Sequence, residues 1–185
     1  MLDTNFDVKQ VLQKRLASSL GLDKYKFIME TVKNTDVSTD DVFQTTFNAF
    51  YIVRRNAEWR NKFYTYFQSI KDTTPTFEDI ITYLYENTGN IEPSFSSKLL
   101  ATLDPRKPIW DRYVVEKLKL KLKGKTQEEK LQNVIQLYSK MEEWYVNFLK
   151  TEKATECIRV FDETLPEYIW ISSIKKIDAI LWSIR

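Results

Sequence analysis

Lys98 and Asp111 are the two residues of this chain whose types and spacing could do chemistry. They bracket a stretch that reads as a helix, a proline-stiffened turn through Pro105 and Pro108, and the opening of a second helix. An unprotonated lysine amine adds to a carbonyl or sugar carbon to give a Schiff base. A carboxylate across the same cleft orients the substrate or steadies the developing cation. Such a lysine needs desolvation or cationic neighbours, and Arg106, Lys107 and Arg112 lie close by in sequence. At ~100° per residue, Phe95, Leu99, Leu100 and Leu103 share one helical face, and Lys98 falls about 120° from its centre. A lysine at that border either snorkels to solvent or faces a groove. Asp111 follows Pro108-Ile109-Trp110 and reads as a helix N-cap, a role compatible with chemistry.

Other chemistries are excluded by what the chain lacks. It has no histidine, which removes Ser-His-Asp and Cys-His catalysis and histidine-ligated metals. Cys157 is the one cysteine, so no internal disulfide forms; it reads as a packing residue in a cytoplasmic protein. Three glycines cannot build a phosphate-cradling or dinucleotide loop. Pairs such as Glu142-Glu143 are adjacent on a helix and diverge. No metal and no organic cofactor is expected. No apolar run approaches the ~18 residues of a membrane span, and Met1–Asn5 does not open a signal peptide.

Charge singles out one further segment. From Arg106 to Lys125, eight cations stand against Asp111 and Glu116, a local +6 in a chain of net +2. Lys117, Lys119, Lys121, Lys123 and Lys125 alternate with other residues, either tracking an anionic backbone or forming a solvated face. Aromatics interleaved with Arg54, Arg55 and Arg60 read mainly as core, with base stacking as the alternative. Trp110, in a turn, either stacks on an extruded base or covers the rim of the core.

The elements that must position these residues are helical. Apolar residues make up 43% of the 185 and glycine is scarce, so the expected class is all-α. We expect a compact array of about nine or ten helices over 1–185, as one domain or two closely packed lobes. The first runs from about Asp7 to Leu20 with Gly21 as its stop, and Lys24–Lys33 follows. Ser38 and Asp41 suggest a capping box for a helix to about Asn56, with Val42, Phe43 and Phe47 inward. Thr76 with Asp79, and Thr126 with Glu129, are the other capping pairs, and Gly89 ends the helix begun at Thr76. Lys117–Lys125 has a strand-like period. Helices near Glu156–Thr164 and Ser173–Ile184 close the chain.

Leu84-Tyr85-Glu86-Asn87-Thr88-Gly89, Ser97-Lys98-Leu99-Leu100 and Leu103-Asp104 through Pro108 to Asp111 together resemble the helix-hairpin-helix DNA glycosylase superfamily. Gly89 stands where that family usually carries two hairpin glycines, and the Lys98–Asp111 interval is shorter than usual. The resemblance implies Lys98 as Schiff-base nucleophile and Asp111 as catalytic acid. The nucleic-acid contacts expected with it are Gly89, Arg106, Lys107, Trp110, Arg112, Lys117, Lys119 and Lys121. DNA is then the expected partner. The alternative is a non-catalytic helical module that binds a protein partner or forms a homodimer, with the helix after Thr126 as its contact element.

Overall fold

The structure, a computed structural model, describes residues 6–16 and 21–184. Among the described residues it is all-helical, with ten α-helices, one 3-10 turn and no strand. Two compact units divide the chain: a contiguous middle unit, Gly21–Leu103, and a terminal unit made from Met1–Leu20 and Asp104–Arg185. The Met1–Asn5 start, residues 17–20 of the first expected helix and the side chain of Leu16 lie outside the described residues.

The middle unit holds α2 (Leu22–Thr31), α3 (Asp41–Tyr51), α4 (Ala57–Ile70), α5 (Phe77–Thr88) and α6 (Pro93–Leu103). Its core is aromatic. Phe43 and Phe47, one turn apart on α3, meet Phe63 and Phe67 of α4 at ring-centroid separations of 5.7 to 5.9 Å. Gly21 takes a left-handed conformation directly before α2; its expected role as the stop of the first helix falls on residues 17–20, outside the described residues. The start of α3 differs from expectation. Asp40, not Ser38, accepts from the Phe43 N–H at 2.8 Å, while Ser38 bonds to Asp36. Capping from Asp40 leaves Val42 in the first turn on the outer side, 64% exposed. The helix also stops at Tyr51, because Ile52 turns left-handed (φ 56°) and Asn56 then caps α4. The Thr76–Asp79 capping box and the left-handed Gly89 stop bound α5 as the sequence indicates.

The terminal unit holds α1 (Val8–Leu16), α7 (Arg112–Lys117), α8 (Gln127–Phe148), α9 (Glu152–Thr164), a 3-10 turn Pro166–Tyr168 and α10 (Ser173–Ser183). α10 packs on α9, α1 and α7, and α1 also on α9. Thr126 and Glu129 cap α8 reciprocally. Lys117–Lys125 forms no strand. Lys119 takes a positive φ of 55°, and the following chain is tied to α8 by Lys123 N–H to Asn133 and Lys125 N–H to Glu129. With no partner strand among the described residues, the alternation only half-buries Leu118 and Leu120 and exposes Leu122.

Candidate functional site

Lys98 lies on α6 in the middle unit, half-buried. Its Nζ donates to the Tyr51 carbonyl at 2.8 Å and sits 5.1 Å from the Phe95 ring centroid. Tyr51 is the last residue of α3, where backbone carbonyls lose their helical partners. The ammonium therefore closes that helix end and also rests on an aromatic face. To act as a nucleophile, the side chain must leave both contacts.

Asp111 belongs to the terminal unit, where it is the N-cap of α7 and accepts from the Tyr113 N–H at 2.9 Å. The turn before it is held at several points. Tyr138 donates to the Pro108 carbonyl at 2.8 Å, Ser172 to the Pro105 carbonyl at 2.5 Å, and Lys107 pairs with Glu142 at 2.7 Å. Asp178 of α10, buried, accepts from the Ile109 N–H at 3.3 Å and from the Tyr145 hydroxyl. Burial pushes the Asp178 carboxyl up to about 6, against the pull of Lys175, Tyr145 and the Ile109 amide; Asp111 pushes it further up. Burial also brings the neighbouring Lys175 down to about 8, and holds the Tyr145 phenol well above its ordinary value.

The basic block divides in two. Arg106 pairs with Asp104, Lys107 with Glu142 and Arg112 with Glu116, so these three are engaged within the terminal unit. Lys117, Lys119, Lys121, Lys123 and Lys125 make no ion pair among the described residues, and all but Lys117 are exposed. Trp110 is half-buried beside Asp111. Cys157 is buried, and burial pushes its thiol up to about 11, as suits a packing residue.

A polar cleft of about 300 Å³ in the middle unit was not foreseen as a site. The α3–α4 connection lines it with Arg54, Arg55 and Asn56, α4 with Glu58, Trp59 and Lys62, and the α5–α6 turn with Thr88 and Asn90. The last two flank Gly89, whose left-handed φ of 72° suits glycine and around which an added Cβ meets nothing. Arg55 is committed: it ion-pairs with buried Glu92 at 2.6 Å and stacks 5.3 Å from Phe95 and 5.7 Å from Trp59. Lys62 pairs with Glu58 at 3.0 Å and reaches the Asn87 carbonyl. Arg54 is exposed and makes no ion pair among the described residues. Trp59 is 7% exposed, and its indole N–H has no acceptor among the described residues. The available signal was the Arg54-Arg55 pair directly before the N-cap Asn56, masked by the aromatic spacing that reads as core.

No group of three metal-capable side chains gathers among the described residues, and no helix among them is long and apolar enough to cross a membrane. Compared with known proteins, the chain significantly matches no family model, no curated protein and no solved structure.

Proposed function

We propose that this protein binds DNA through the phosphate backbone and is a helix-hairpin-helix glycosylase-like protein. The observation that carries this reading is the cleft beside the α5–α6 turn, where Arg54, Arg55 and Lys62 gather around Gly89's neighbours. Backbone phosphates need fixed cations and polar donors: Arg54 makes no ion pair among the described residues, Arg55 and Lys62 are paired with Glu92 and Glu58, and Asn56, Thr88 and Asn90 add amide and hydroxyl groups. α5 and α6 pack against each other across that short turn, as a hairpin pair requires. The unpaired lysines from Lys117 to Lys125 add a second cationic element.

The chemistry assigned to this reading is lyase action at an abasic site. Nζ of Lys98, unprotonated and withdrawn from Tyr51, adds to the C1′ aldehyde, and loss of water gives an iminium. The iminium acidifies a C2′ proton; its removal breaks the C3′–O bond, and water then releases the lysine. Asp111 is carried in this reading as the acid that the resemblance implies. The protein-interaction reading has less behind it: among the described residues of α8, Val146 is the one large apolar side chain that is exposed.

The test is anisotropy of labelled duplex DNA, intact and abasic, across a salt series, followed by borohydride trapping. Binding that weakens steeply with salt and favours the abasic duplex is expected, with a trapped adduct that Lys98→Gln abolishes. Absence of binding at low salt overturns the DNA reading. Trapping that persists in K98Q removes the nucleophile's role from Lys98 alone.

A further inference from the structure

Asp178 stands out because none of the roles above uses it. It is buried on α10, and its two oxygens are spent on different elements: Oδ2 on the Ile109 amide, Oδ1 on the Tyr145 hydroxyl of α8. Ile109 lies two residues before Asp111, and the Asp111 N–H closes back on the Ile109 carbonyl at 2.8 Å. Tyr138, two turns before Tyr145 on α8, holds the preceding carbonyl at Pro108. The Pro108–Ile109 peptide is therefore gripped at its carbonyl from α8 and at its amide from α10, and Trp110 and Asp111 follow it directly.

We infer that Asp178 is the positioning residue of the Pro108–Asp111 turn and that its protonation state regulates the placement of Trp110 and Asp111. This rests on the reading of Trp110 and Asp111 as site residues. Ionised, Asp178 accepts charge-assisted hydrogen bonds from Ile109 and Tyr145 and repels Asp111. Protonated, it holds the amide through a weaker neutral bond, and the repulsion goes. The groups around it are Lys175 on its own helix, Tyr145 and Tyr138 on α8, and Asp111 in the turn. Of its neighbours on packed helices, Asp162 of α9 is taken by Lys176. Arg112 and Glu116 of α7 pair with each other at the surface, α7 also carries Lys117, and Lys9 of α1 is exposed. The carboxyl's raised value of about 6 puts the change within reach of ordinary solution conditions.

The test is 19F NMR on the full chain labelled with 5-fluorotryptophan, with the Trp110 resonance assigned by Trp110→Phe among the 5 tryptophans. Its shift is expected to titrate with a midpoint near 6 in the wild type and to be flat in Asp178→Asn. Tyr145→Phe keeps the ring but removes a donor to the carboxylate, so its midpoint moves up. That second variant decides the matter if D178N does not fold. A flat wild-type profile overturns the proposal. So does a titration that is unchanged in D178N, or a Tyr145→Phe midpoint that does not move. None of these readings needs DNA, so the loss of DNA binding and the loss of this clamp are separate results.

Discussion

Ile52, two residues before Arg54 of the cleft, holds a strained backbone conformation. A β-branched side chain in the left-handed region crowds its own backbone, yet here it ends α3 with φ 56°, 53% exposed. Its N–H still closes on Asn48, so the turn itself is needed while the isoleucine is not. Ile52→Asn is expected to raise unfolding stability by about 1 kcal/mol in chemical denaturation, since asparagine tolerates this conformation. An unchanged or lower midpoint at constant slope shows that the side chain makes compensating contacts. Lys98 illustrates how far residue type carries. Its border position on α6 was legible from the apolar spacing, and the structure half-buries it as expected for a border residue. Its acceptor, the carbonyl of Tyr51, lies 47 positions earlier and leaves no trace in local sequence. The same holds for Arg55 and Glu92, 37 positions apart.

At the scale of elements, caps were the legible part, because they are contiguous. Thr76 with Asp79, Thr126 with Glu129, Asp111 and Gly89 each act within four residues of themselves. Asp40 and Ser38 compete for one helix start, and local pattern alone could not decide which side chain turns back on the Phe43 amide. The lysine alternation failed as a strand signal because a strand exists only against a neighbour. The polar link between α8 and α10 was invisible because Tyr145, Asp178 and Ile109 meet from three separate segments. That link carries its own pH dependence. Asp178 has a folded-state value raised from 3.8 to about 6, so its contribution to stability is present at low pH and is lost as pH rises through about 6. Lys175, lowered from 10.5 to about 8, contributes above its unfolded value and loses that contribution as pH falls through about 8. The two together predict a stability minimum between about pH 6 and 8. Urea unfolding of wild type and Asp178→Asn across pH checks this. The difference between them should change between pH 4 and 6 and be level from 6 to 7. A difference constant with pH removes the titration from Asp178.

Across the whole molecule, charge is unevenly shared between the two units. The terminal unit carries nineteen cations against fifteen acids, a net +4, and the middle unit nine against eleven, a net −2. Within the terminal unit, the cations nearest the turn are neutralised by partners, and the excess falls on the segment after α7. In the middle unit, Arg54, Arg55 and Lys62 converge at the cleft. On the DNA reading, each element makes its own kind of contribution. The exposed lysines supply salt-sensitive attraction with little geometry, whereas the cleft supplies a fixed contact. Replacing Lys119, Lys121 and Lys123 together by glutamine should therefore lower the slope of log affinity against log salt by about 3, with abasic preference retained. Arg54→Ala should lower the slope by about 1 and weaken binding to intact and abasic duplexes alike, because a phosphate contact is lost. A lysine variant whose slope equals that of wild type would identify the segment as a solvated face. An Arg54 variant whose slope and affinity equal those of wild type would remove the cleft from the phosphate contacts. The two variants touch different units, so each result reads its own element without depending on the other.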